Sequence, residues 1–167
     1  MRIHLWLAAA LLLAAVAPGY PQTALIVVRH AERADQSQDT KLSTKGEERA
    51  KALARTLSGA NVSAIYVTQF QRTMQTAQPL AEHMNVKPSV VQAQDIESLA
   101  LKIRTSNANQ VVLVVGHSDT VPSILKAFGH LEPVTIELDE FDSLFILVPR
   151  SGQNPSVLRL KYGAEGQ

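Results

Sequence analysis

Two kinds of apolar pattern alternate along the chain. Ala24 to Val28 and Val111 to Val115 are short, unbroken and rich in branched side chains, as in strands buried on both faces of a parallel sheet. Ser63 to Val67 reads as a third, more amphipathic strand, and Lys87 to Val91 as a fourth. Between these runs apolar residues recur at helical spacing: Ala50, Leu53, Ala54 and Leu57; Met74, Ala77, Ala81 and Met84; Ile96, Leu99 and Ile103; Val121, Ile124, Leu125 and Phe128. Thr44 and Glu47 form a candidate capping box for the first helix, and Gly59 stops it. Pro79 is placed to kink the second helix, while Thr120 and Gly129 bracket the fourth. Core packing accounts for every stripe, its methionines included. Alternation of strand and helix predicts an α/β fold, a three-layer α/β/α sandwich on a mostly parallel central sheet. Ser143 to Val148 and Val157 to Lys161 read as two further strands joined by a turn rich in Gly and Pro, and the polar stretch Glu32 to Leu42 reads as a loop.

The N-terminus stands apart from this pattern. Arg2 precedes an apolar stretch from Leu5 to Ala17, followed by Pro18 and Gly19. Roughly 13 apolar residues suit the core of a signal peptide, whereas a spanning helix needs about 20. Ala15-Val16-Ala17 and Ala17-Pro18-Gly19 are cleavage candidates. Residues 1–22 are therefore expected as a signal peptide and short leader. Residues 23–167 are expected as one domain, periplasmic or secreted, with no membrane span left after cleavage.

Composition narrows the chemistry. Hydrophobic residues make up 46% of the 167, which rules out a disordered tail. Lys plus Arg is 16 against 15 for Asp plus Glu, so no bulk electrostatic drive favours nucleic acid as a partner. Cysteine is absent, which removes disulfides, thiolate metal sites and a cysteine nucleophile together.

Open α/β sheets bind ligands beyond the carboxyl ends of their strands. The first strand delivers Arg29 and His30 there. The third run delivers Thr68, with Arg72 close behind. The strand ending at Val115 delivers Gly116, His117 and Ser118. Two guanidiniums can fork onto the oxygens of a phosphoryl group, and a helix N-terminus adds backbone donors. A neutral imidazole can attack phosphorus without a separate base, and a second imidazole can donate to an oxygen as charge develops. The set therefore reads as a phosphoryl-transfer pocket. No Walker loop is present. A metal hydrolase built on His30, Glu32, His117 and Asp119 is the weaker reading, because two arginines beside the site would repel a divalent cation.

Arg29-His30-Ala31-Glu32, then Leu42-Ser43-Thr44-Lys45-Gly46, resembles the opening of the histidine phosphatase superfamily, also called the phosphoglycerate-mutase-like family. Thr68 to Ala77 resembles its second block and Val115-Gly116-His117-Ser118 its third, in the family's order. The resemblance implies that His30 is a nucleophile forming a phosphohistidine, that Arg29 and Arg72 bind phosphate, and that His117 completes the pocket. Glu32 and Ser118, beside the two histidines, join the implied substrate-binding set. Ala31 replaces the Gly of many members, and Thr68-Gln69 stands where many carry Ser-Pro. The interval from Ala77 to Val111 is too short for the lid of larger members, so the chain resembles the small, open phosphohistidine phosphatases.

The general acid is read from less. Asp95 is the preferred candidate, with Glu32, Glu97 or no dedicated acid at all as alternatives. Asp95 and Asp119 are also placed to cap the helices that follow them, and Glu32 to pair with Arg33 or Arg72. The implied activity is hydrolysis of phosphomonoesters or phosphoramidates, on a phosphorylated small molecule or a phosphoprotein, without metal or cofactor. A non-catalytic phosphate-binding protein on the same scaffold and a phosphomutase are the alternatives.

Overall fold

The computed structural model describes residues 24–163. The expected signal peptide lies outside the described residues. Among those described, no helix is long and apolar enough to cross a membrane.

Strand β1 (Ala24–Arg29) opens the fold. Helix α1 (Thr44–Leu57), β2 (Val62–Thr68), α2 (Gln71–Met84), β3 (Ser89–Val91), α3 (Ile96–Ser106), β4 (Val111–Gly116) and α4 (Thr120–Ala127) follow in strict alternation. The hairpin β5 (Ser143–Arg150) and β6 (Gln153–Lys161) closes it. All six strands form one sheet in the order β3-β2-β4-β1-β5-β6. The first four run parallel, and β5 joins β1 antiparallel.

The period of two along β1 sorts its side chains between two cores. Leu25 and Val27, with Val112 and Val114 of β4, pack on Leu99 and Ile103 of α3 and Ile124 and Leu125 of α4. Ile26 and Val28, with Leu113 and Val115, pack on Leu53 of α1 and Leu80 of α2. The molecule is thus a three-layer α/β/α sandwich. Covering on both faces is why β1 and β4 carry unbroken apolar runs. Burying each such side chain contributes about 1.5–3 kcal/mol.

Three local expectations change. The cap of α1 is Ser43, whose Oγ accepts from Gly46 N at 3.1 Å, and not a box of Thr44 and Glu47. The position that would reach back is Gly46, where a Cβ would run into the carbonyl oxygen of Glu32. β3 is three residues long, because Pro88 has no N–H to give to a ladder. Asp119 occupies the N-cap position of α4, yet its side chain makes no cap bond. Thr120 Oγ1 makes the local bond instead, accepting from His117 N at 2.9 Å. α2 runs on through Pro79 to Met84.

Candidate active site

The register places the three delivered segments side by side. Arg29 pairs with Gly116, and Val67 pairs with Val115. The ladder continues one residue past β1, where His30 N donates to Gly116 O at 2.9 Å. Ala31 N then donates to Thr76 Oγ1 of α2 at 2.9 Å, and Thr76 Oγ1 donates to Arg72 O at 2.7 Å. His30 is therefore held on both sides by backbone bonds, which fixes its position more tightly than a free loop could.

An open pocket of about 250 Å³ lies over this edge, lined by Arg29, His30, Arg33, Phe70, Arg72, Ala93, Gln94, His117, Ser118, Asp119 and Leu138. The two imidazole rings meet edge-on with centroids 5.2 Å apart. His30 Nδ1 lies 2.7 Å from Ala31 O. A carbonyl only accepts, so Nδ1 carries the proton and Nε2 carries the lone pair. Among the described residues nothing hydrogen-bonds Nε2. Burial pushes the His30 pKa down to about 3, with His117, Arg72 and Arg29 pushing the same way and the Ala31 carbonyl opposing. Burial, with Arg72 and Arg29, lowers His117 to about 4, against a smaller upward pull from Asp119. Both rings are neutral at pH 7.

Each arginine is oriented by backbone and by an aromatic ring. Arg29 Nη1 donates to the carbonyls of Glu137, Leu138 and Glu140 at 2.9–3.0 Å, and Phe141 stacks 4.0 Å from the guanidinium. Arg72 Nη1 donates to Gln38 O at 2.8 Å, and Phe70 lies 4.3 Å from its guanidinium. Both guanidiniums keep a buried Nε with no hydrogen-bond partner. A buried donor left unpaired costs about 1–3 kcal/mol. The segment that holds Arg29 is anchored in turn by Glu140, which accepts from Ser143, Arg159 and Lys161. Burial alone would raise the Glu140 pKa, but these donors hold it at about 2.

The structure brings Arg29, His30, Arg72, His117 and Ser118 together in the pocket. Glu32 is not among them. Its carboxylate is forked by Arg49 at 2.7–3.0 Å, with Lys45 3.8 Å away, rather than by Arg33 or Arg72. Burial would raise the Glu32 pKa, yet the Arg49 fork holds it below the usual carboxylate range. This pairing also takes Glu32 out of the metal-ligand set weighed from the sequence, and no group of three or more His, Asp or Glu among the described residues could hold a metal ion. Asp95 caps α3, accepting from Ser98 N at 3.1 Å, and Glu97 lies in the first turn of that helix. Neither lines the pocket. Asp119 does.

Arg33, Phe70, Gln94 and Leu138 escape the sequence reading. Phe70 sits inside the second block, where an aromatic beside Arg72 was a usable signal. The carbonyls around Arg29 come from an irregular segment, and nothing in side-chain pattern announces them.

Fold and site together define an α/β protein with paired His and Arg at the carboxyl edge of a mostly parallel sheet. The family model described as histidine phosphatase superfamily (branch 1) matches residues 25–100, which contain the first two blocks. Over those residues the chain is similar to that superfamily. The third block, at Gly116 to Ser118, lies beyond the matched residues. Among solved structures, a protein described as mycobacterial hydrolase 1 is similar at TM-score 0.70 and 15% identity, covering 85% of this chain and 99% of its own. Mycobacterial glucosyl-3-phosphoglycerate phosphatase with inorganic phosphate gives 0.66 and 15%, covering 85% and 97%. The protein histidine phosphatase SixA complexed with tungstate gives 0.65 and 19%, covering 83% and 96%. At these identities the likeness speaks for the fold. No curated protein matches the chain.

Proposed function

We propose that this protein is a metal-independent phosphatase in which His30 Nε2 attacks phosphorus and carries the phosphoryl group as a phosphohistidine. The observation that carries the reading is the His30 tautomer. Donation from Nδ1 to Ala31 O leaves the Nε2 lone pair free, in a ring that burial keeps neutral, beside two guanidiniums with unused donors. A nucleophile held in this way needs no base to activate it. Arg29, Arg72 and His117 surround the position where phosphoryl charge would develop, and Ser118 lines the same wall. The substrates are phosphomonoesters or phosphoramidates. A pocket of about 250 Å³ holds a phosphoryl group and a few more atoms, so the rest of the substrate rests on the rim beside Arg33, Phe70 and Leu138. That openness favours a phosphoprotein or another bulky substrate over an enclosed metabolite. Export belongs to the same proposal and rests on the apolar stretch Leu5 to Ala17.

The experiment is turnover of p-nitrophenyl phosphate with and without EDTA, combined with an alkaline quench. We expect turnover insensitive to EDTA, an acid-labile and base-stable phosphate adduct on His30, and loss of both in folded His30→Ala protein. Metal-independent turnover by folded His30→Ala would overturn the mechanism. No turnover by the intact protein would favour a phosphate-binding protein instead.

A further inference from the structure

The carboxylates around the pocket are nearly all committed. Glu32 is forked by Arg49, and Asp95 caps α3. Asp39 accepts from Gln71 N at the start of α2 at 2.8 Å. Glu140 is held by Ser143, Arg159 and Lys161. Asp119 differs from all of these. It is the one carboxylate among the residues lining the pocket, and it is exposed to solvent there. Its carboxylate does not cap α4, and its hydrogen bond is a long one, from Gln94 Nε2 at 3.4 Å. Its charge acts on both His117 and Arg72.

We propose that Asp119 is the general base for hydrolysis of the phosphohistidine, a role that rests on His30 being the nucleophile. In the first step the Nε2 lone pair forms the N–P bond as the P–O bond to the leaving group breaks. In the second, a water oxygen forms a bond to phosphorus while Asp119 takes one of its protons. The N–P bond breaks, its electron pair returns to His30 Nε2, and inorganic phosphate is released. Asp119 is exposed, so it loses the proton to bulk water and the cycle closes. Asp119 thus acts after the leaving group has gone.

That order sets the test. p-Nitrophenolate leaves without needing a proton, so Asp119→Asn should spare its release and slow the following step. In rapid mixing with p-nitrophenyl phosphate, the variant should release about one nitrophenolate per site in a burst. A steady rate at least ~100-fold below the intact protein should follow, the lower end of what general base catalysis contributes. The base-stable phosphate adduct should accumulate to near one per site in the variant, well above its level in the intact protein. Asp119 is exposed and uncapped, so thermal unfolding should be unchanged. Asp95→Asn should show neither the burst nor the accumulation. Wild-type turnover by Asp119→Asn, or slow nitrophenolate release without a trapped adduct, would overturn the assignment while leaving the His30 reading intact. Absence of the adduct from both proteins would overturn the two together.

Discussion

His117 Nε2 lies 3.0 Å from Thr68 Oγ1, and this contact decides which proton His117 can offer. The other nitrogen, Nδ1, faces Arg72 Nη2 at 3.4 Å. A guanidinium only donates, so Nδ1 accepts and Nε2–H donates to Thr68. Thr68 Oγ1 continues to Thr73 Oγ1 at 3.0 Å, which donates to Phe70 O at 2.8 Å. For His117 to donate to a phosphoryl oxygen through Nδ1, the ring proton must move from Nε2 to Nδ1, the Arg72 Nη2 donor must turn away from Nδ1, and the Thr68 hydroxyl must turn from acceptor to donor toward Nε2. Thr68→Val removes that choice and leaves a buried ring N–H unpaired. We expect kcat/KM to fall more than ~10-fold and stability by about 1–3 kcal/mol. Thr68→Ser should recover most of both. Nitrogen-15 NMR of the His117 ring should report an altered tautomer in the valine variant, and an unchanged ring signal would remove Thr68 from this role.

Arg72 makes directional contacts that a lysine cannot reproduce: one to Gln38 O, one to His117 Nδ1, and a flat face on Phe70. Charge alone is not what the site uses. Arg72→Lys should lower kcat/KM by ~100-fold or more, close to Arg72→Ala, since removing a preorganised donor costs about that much. Steady-state kinetics on both variants would check it, and near-normal activity in the lysine variant would reduce Arg72 to a distant countercharge.

Both active-site histidines have pKa values depressed by burial, to about 3 for His30 and about 4 for His117. An unfolded histidine takes up a proton near pH 6.5. Below that pH the unfolded state binds more protons than the native state, so stability rises with pH through this range. The contribution is fully present above pH 6.5 and is lost as pH falls toward 3 to 4. Urea unfolding at pH 7 and pH 4.5 should show lower stability at the acid value. Histidine NMR should keep both rings neutral down to pH 5, and a ring titrating near 6.5 would contradict the burial argument.

Asp95 should matter for stability and not for rate. Asp95→Ala removes the cap on Ser98 N and should cost about 1 kcal/mol, typical for loss of a helix cap. Turnover of esters with poor leaving groups should stay within ~2-fold of the intact protein, whereas a general acid contributes at least ~100-fold. A large loss confined to poor leaving groups would return Asp95 to the mechanism.

Several features were legible before any coordinates. The unbroken runs at β1 and β4 announce burial on both faces, and that burial places Arg29, His30 and His117 at one sheet edge. Order and spacing of the three blocks point to the superfamily. These are local or periodic signals, carried by a few adjacent residues. The carboxylates were harder, because every Asp and Glu in the region has the right chemistry and only its partner decides its use. Arg49 lies 17 residues from Glu32, and nothing in the spacing says that it would take that carboxylate.

By itself, then, the sequence determined the layered α/β class and the paired His and Arg of the pocket, because periodicity and strand-end position are properties of the chain. Tertiary structure alone decided which tautomer each histidine holds, which backbone carbonyls aim Arg29, and that Asp119 rather than Asp95 faces the site. Those outcomes depend on hydrogen bonds between distant segments, Thr68 with His117 and Arg29 with Glu137 to Glu140. Folding the layers onto one another creates those contacts, and no local pattern encodes them.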